Sequence, residues 1–287
     1  MKRAEAFCPG HITGFFEICR TDDLLSTGSR GAGLCLTLGA RSTVEVTDSS
    51  RLSVRTSIDN QASTAVVTMH ALKAIAGTRK LKISASTTLD LPVSQGFGMS
   101  AAGSLSASIA LAKILGLSKQ DAFEAAHKAE IETGGGLGDV AALYAGGITI
   151  RKRAGLPPVG DVVRIDGEPE IVLCVIGKKM LTRNIIRNPA KARAINESGS
   201  KKVAQLARSP SIYRLMELSA QFAQESGLAS RKILEAMSAA SKLGTASMSM
   251  LGNSVFAIGD TAGLTRVLSD YGKIYVCRVD TRGPRLI

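Results

Sequence analysis

Apolar positions alternate with polar ones along much of the N-terminal part of the chain, the period of strands with one buried face. Residues 6–20 read as a strand broken by Pro9-Gly10 and Gly14, and Leu34 to Thr47 mixes apolar and β-branched residues in the same manner. Arg51 to Ser57 alternates, as do Leu81, Ile83 and Ala85 within Lys80 to Leu89. Between them, Gln61 to Ala76 carries Ala65, Val66, Met69, Leu72 and Ile75 at helical spacing, with Gly77 as a stop. The Ser/Gly-rich residues 24–33 predict a loop.

The period then lengthens to that of helices. One helix runs over residues 100–115 and ends at Gly116. Ser118 with Asp121 three residues on is a capping-box variant that opens a second helix, to about Thr133. Val140 to Tyr144 continues as a short helix, and residues 146–151 read as a strand. The stretch Ala154 to Gly160, with Pro157 and Pro158, has linker composition and predicts two domains, 1–155 and 156–287. Beyond it, Ile171 to Ile176 reads as a buried strand, and Asn188-Pro189, Ser209-Pro210 and Ser230 open three helices. Residues 246–259 predict a strand pair turning at Gly252-Asn253, Thr261 to Tyr271 a helix, and Lys273 to Val279 a last strand. Helices grouped between separated strands indicate an α+β domain with helices on one sheet face.

Composition narrows the class. Hydrophobic residues make up 45% of the chain, enough for a full core, and no apolar run approaches the roughly 18 residues that span a bilayer. The N-terminus lacks the continuous apolar stretch of a signal peptide. Five scattered cysteines without a paired spacing argue against structural zinc and a disulfide framework, and indicate a reduced, cytoplasmic protein. The net charge of +12 raises nucleic acid as a partner, but the basic residues are dispersed apart from Arg151-Lys-Arg153 and Lys178-Lys179. Aromatics are 4% with no Trp, so base-stacking platforms are sparse. A basic surface that attracts small anions such as nucleotides accounts for the charge, and neither nucleic acid nor a membrane is the expected partner.

Three stretches carry candidate chemistry. Pro92-Val-Ser-Gln-Gly96-Phe-Gly98-Met-Ser100-Ala-Ala-Gly103 sets two glycines before a hydroxyl residue and an alanine-rich helix. Such a loop points successive N–H groups at one spot, and the helix dipole adds positive charge, so it reads as a phosphate cradle. Ser100 can cap that helix or turn outward to a metal ion. Glu130 and Asp139 flank a glycine-rich turn; phosphoryl transfer needs hard oxygen ligands for a divalent cation and a carboxylate at the attacking hydroxyl. Glu132 competes with Glu130 from another face of the same helix, and Asp139 could equally be a helix cap. Finally, Cys8-Pro9-Gly10-His11 places a bulge and a polar side chain in the first strand.

Together these resemble the motifs of the GHMP kinase superfamily: a Pro-x3-Gly-[Leu/Phe]-Gly-Ser-Ser-Ala-Ala loop matched by Pro92 to Ala102, a Gly-x-Asp segment followed by Gly-Gly, and a C-terminal motif at Ser247 to Phe256. Met99 replaces the usual first Ser, and His11 the usual N-terminal Lys. With Pro9-Gly-His-Ile-Thr-Gly-Phe-Phe-Glu17 and Gly28-Ser-Arg-Gly-Ala-Gly33, the pattern is most similar to the archaeal-type pantoate kinases.

The resemblance implies a ribosomal S5 domain 2-like N-terminal domain, a ferredoxin-like C-terminal domain, and transfer from ATP to the 4-hydroxyl of pantoate on the way to coenzyme A. Homoserine or mevalonate kinase chemistry, or an S5-fold nucleic-acid binder, are the alternatives, and a homodimer is left open. By position, Pro92, Gly96, Phe97, Gly98, Met99, Ser100, Ala101 and Ala102 would hold ATP, Ser100 and Glu130 would ligate Mg²⁺, and Asp139 would act on the pantoate hydroxyl. A small hydroxy acid needs a cation and hydrogen-bonding groups, for which His11, Ser29, Arg30, His127 and Arg151 are candidates, with Arg183 a weaker one.

Overall fold

The computed structural model describes residues 1–178 and 188–287. Two antiparallel strands of unusual length, β1 (Lys2–Cys19) and β2 (Gly28–Asp48), form its spine. They pair along their whole length, with register shifts at Pro9/Gly10 and Thr13/Phe15, the bulges expected from Pro9-Gly10 and Gly14. β5 (Leu81–Leu89) pairs with β2, β3 (Ser53–Ile58) runs parallel to β5, and β4 (Gln61–Ala62) closes that edge. On the other branch β6 (Ile148–Arg153) pairs with β2 and β7 (Asp161–Ile165) with β6. The two-residue β12 (Arg285–Leu286) pairs with β1.

Residues 24–33, expected as a loop, turn out half strand. Gly31 and Gly33 are part of β2 because a side chain at either would collide with β1: at Gly31 with the Phe15 carbonyl, at Gly33 with the Ile12 carbonyl and the His11 ring. Helix α1 (Val66–Ala76) starts later than the pattern indicated, since Gln61-Ala62 is strand. Strands β7 and β12 were not foreseen. β7 lies beyond residue 155 and still belongs to the large sheet, so the two sheets part at residues 166–169.

The second sheet has the order β11-β8-β10-β9, all neighbours antiparallel, from β8 (Glu170–Val175), β9 (Gly244–Met248), β10 (Ser254–Gly259) and β11 (Lys273–Arg278). With helices between β8 and β9 and between β10 and β11, that is the ferredoxin-like arrangement. Its helices are α5 (Pro189–Arg208), α6 (Ile212–Glu225), α7 (Arg231–Ala240) and α8 (Thr261–Ser269). Asn188, Ser211, Ser230 and Asp260 cap them through side-chain oxygens.

Helix α2 (Met99–Leu115) fills the centre of the larger unit, against β1, β2, α1 and α3 (Lys119–Thr133). Every residue from Ala101 to Ala112 is buried, which Ala, Gly and Ser make sterically possible on all faces. Within that core Ser42, Thr87 and Ser106 satisfy one another's hydroxyls at 2.7–2.8 Å.

The second unit is joined to the first through aromatic packing: Phe222 of α6 is fully buried, its ring 5.8 Å from Phe16 and 6.5 Å from Phe15 of β1. Phe222→Ala is expected to cost about 3–5 kcal/mol, read as a lowered midpoint in chemical denaturation; a midpoint within error of the wild type would show that this contact does not join the units.

Candidate active site

A cavity of about 420 Å³ opens where the N-terminus of α2, the end of α3 and the β9–β10 turn meet. One end is walled by Ser94, Gly96, Phe97, Gly98, Met99 and Ser100 of the glycine loop. Gly96 and Gly98 have φ of +79° and +62°, the left-handed region. Gly98, not Ser100, is the N-cap of α2, so the Ser100 hydroxyl is free of capping and donates to Glu130 Oε1 at 2.6 Å. Pro92, Ala101 and Ala102 do not line the cavity. Ala101 and Ala102 are buried, as residues of a fully enclosed helix must be.

Glu130, near the end of α3, is 2% exposed and its other oxygen accepts from the Gly136 N–H. Burial, then the nearby Asp139 charge, pushes its carboxyl up to about 7 against the Ser100 hydrogen bond. Two carboxylates and a hydroxyl thus converge beside a glycine loop, and no cation pairs with Glu130 among the described residues. This hard-oxygen donor set fits Mg²⁺, whose charge would offset both penalties. Glu132 is exposed and faces His70, away from the cavity.

The same cavity is also lined by Thr13, Phe16, Ser29, Leu137 and Asp139, with Met250 and Leu251 from the β9–β10 turn. Asp139 opens α4 (Asp139–Ala145) in its first turn, but the N-cap is Gly138 and no side chain caps the helix. Its Oδ1 instead lies 2.8 Å from His11 Nδ1. His11 is completely buried behind Asp139, outside the cavity wall. Burial pushes its imidazole below the ordinary range despite the carboxylate, so the ring is neutral and Nδ1–H is the donor. The sequence position of the family lysine is therefore filled by an uncharged hydrogen-bond donor.

Arg151 is 1% exposed, and its Nε donates to the Ser29 carbonyl at 3.3 Å, while Nη1 has no partner. Burial pushes the guanidinium down to about 10. It lies one layer behind the wall, where a side chain at Gly138 would strike both Arg151 Nε and the Ser29 hydroxyl. Two other candidates point elsewhere. On β2, Ser29 faces inward and Arg30 outward, as alternation along a strand requires; Arg30 pairs with Glu17 at 3.0 Å and donates to the Lys152 carbonyl. His127 is buried, and its Nε2–H donates to the Leu24 and Thr27 carbonyls at 3.1 and 3.0 Å, so it braces the turn before Ser29. Arg183 lies outside the described residues.

Gln95 carries no sequence signal and joins the two walls. Its amide donates to the Gly177 carbonyl at 2.9 Å and accepts from the Asn253 N–H at 3.2 Å. Its own carbonyl accepts from Ser254 Oγ at 2.6 Å.

Residues 60–147, which hold the glycine loop, Glu130 and Asp139, match the family model described as GHMP kinases N terminal domain. Full-length relatives include a pantoate kinase of Methanocaldococcus jannaschii, 34% identical over 95% of this chain and 99% of its own length. One from Methanospirillum hungatei is 33% identical over 100% of this chain and 97% of its own. A solved structure described as a phosphotransferase related to the CoA biosynthesis pathway superposes with a TM-score of 0.90 at 26% identity, over 100% of this chain and 99% of that one. With two sheets arranged as above and relatives matched from end to end, the chain belongs to the GHMP kinase family.

Proposed function

We propose that this protein transfers the terminal phosphoryl group of ATP to a hydroxyl of pantoate, the acceptor named for its full-length relatives. The observation that carries the reading is one cavity lined by a glycine loop, the Ser100–Glu130 pair, Asp139 and Ser29. The loop and Asp139 come from the larger sheet unit and Met250 and Leu251 from the smaller, so the substrates meet in a cleft between two domains.

In this reading the N–H groups at the start of α2 hold the β- and γ-phosphates, and Ser100 and Glu130 supply oxygen ligands for Mg²⁺. The metal, when bound, neutralises charge on the phosphate oxygens during transfer. Asp139 accepts a hydrogen bond from the attacking hydroxyl and takes its proton as the bond to phosphorus forms. His11 holds Asp139 in place from behind, and its lowered basicity keeps it from competing for that proton. Arg151, buried with an unpartnered nitrogen, makes the wall behind Ser29 and Gly138 positive and draws the acceptor's carboxylate to that side. Among the described residues, no acidic side chain other than Glu130 and Asp139 lines the cavity, which disfavours an ammonium-bearing acceptor such as homoserine.

An acceptor panel tests the reaction: ADP release with pantoate is expected to exceed that with homoserine or mevalonate, and release with another acceptor but none with pantoate would overturn the assignment. Asp139→Asn is expected to lower turnover by about 100-fold or more with nucleotide affinity retained; near-normal turnover in the folded variant would remove Asp139 from the chemistry.

His11 and His127 both titrate below the ordinary histidine value of 6.5 in the folded chain because burial disfavours their cations. Unfolded chains then bind more protons just below that value, so folding stability is full above it and falls as pH drops through it. Glu130, raised to about 7, acts in the opposite sense over the same range, so the histidine contribution is read as a difference: thermal unfolding scanned from about pH 7.5 to about pH 5 should lose less stability in His127→Asn than in the wild type. An unchanged slope would mean that His127 is not held neutral.

A further inference from the structure

The β9–β10 turn contains a backbone outlier at the cavity. Leu251 has φ of +64°, in the left-handed region that a branched apolar side chain seldom occupies. Glycine or asparagine would adopt that conformation at lower cost, and the chain places both directly after it, at Gly252 and Asn253. A strained residue persists where its surroundings over-determine it, and such residues concentrate at ligand clamps. Leu251 is half-buried and lines the cavity.

The turn is fixed by backbone contacts on both flanks, and the Leu251 side chain also packs against the core. Met250 N–H donates to the Thr13 carbonyl at 3.1 Å on one flank, and Asn253 and Ser254 bond to Gln95 on the other. Gly252 packs so tightly on Gln95 that a Cβ there would overlap its backbone. These contacts hold the leucine in the wall of the cavity that Asp139 and Ser29 also line. With Phe16, Leu137 and Met250 it makes an apolar surface facing the polar one.

Pantoate has the matching asymmetry. Its carboxylate, 2-hydroxyl and 4-hydroxyl are polar, while the carbon between the hydroxyl-bearing carbons carries two methyl groups. Resting on the acceptor assignment above, we infer that Leu251 is a specificity-determining residue that packs against these methyls. It rejects straight-chain hydroxy acids that could otherwise satisfy Ser29, Arg151 and Asp139. The backbone strain at residue 251 is retained because only a large apolar side chain there closes the pocket on a quaternary carbon.

The test compares kcat/KM for pantoate and for 2,4-dihydroxybutanoate, the same acid without the methyls. A hydrophobic pocket discriminates by about 10- to 200-fold per methylene-sized group, so the wild type should prefer pantoate by at least about tenfold. In Leu251→Gly and Leu251→Ala that ratio should fall severalfold, while Leu251→Met preserves it. Leu251→Gly relieves the left-handed strain but loses the leucine's packing on the core, so the melting of each variant is measured beside its kinetics, with Leu251→Met as the fully packed control. That separates loss of discrimination from loss of fold. A ratio unchanged in the Gly and Ala variants, or a wild type that uses both acids equally, overturns the role of Leu251 and leaves the pantoate assignment standing. No ADP release with either acid overturns that assignment and this inference with it.

Discussion

A helix enclosed on every side needs small residues wherever backbone must approach closely, and from Ala101 to Ala112 every residue of α2 but Leu105, Ile109 and Leu111 is Ala, Gly or Ser. The arrangement of the site depends on it. Buried between the sheet and two helices, α2 cannot shift, so its N-terminus presents the glycine loop at a fixed place and angle. The same burial removes water from Glu130 at the end of α3, which packs alongside. The carboxyl is thereby raised towards neutrality. One packing arrangement in the core thus sets both where the glycine loop stands and how dry the carboxyl beside it is.

The second carboxylate is placed by a different rule. Asp139 is partly solvated, with its side chain 23% exposed, and its Oδ1 is held by the buried His11 ring. A fully desolvated Arg151 lies behind it. The cavity therefore contains one carboxyl that burial makes reluctant to ionise and a second that meets solvent. Environment rather than residue type separates them.

Much of this was legible in the chain. Ser100, Glu130 and Asp139 sit in patterns whose spacing depends on local geometry, and the strand bulges at Pro9-Gly10 and Gly14 follow from backbone sterics alone. What was lost required knowledge of facing. Gly28-Ser-Arg-Gly-Ala-Gly33 lacks β-branched residues and reads as loop, because its strand conformation is imposed by the close approach of β1 and the His11 ring. Once it is known to be strand, alternation alone turns Ser29 in and Arg30 out. His127 lies three residues before Glu130 on α3, but the turn at residues 24–27 occupies the space before it. Gln95 acts through three tertiary hydrogen bonds, and Leu251 through an unusual φ. Neither leaves a mark in residue type or period.

The edge strand β12 has a consequence for how the molecule is made. Ala6 pairs with Leu286, and Phe7 is flanked by the guanidinium groups of Arg41 and Arg285 at 5.1 and 4.6 Å. β12 covers part of an outer edge that the β1–β2 ribbon would otherwise leave as unpaired backbone open to the wrong partner. Closing it joins residues about 280 positions apart in sequence, a contact whose loop entropy must be met before it is rewarded. The edge is thus guarded by a pairing that local structure cannot form on its own.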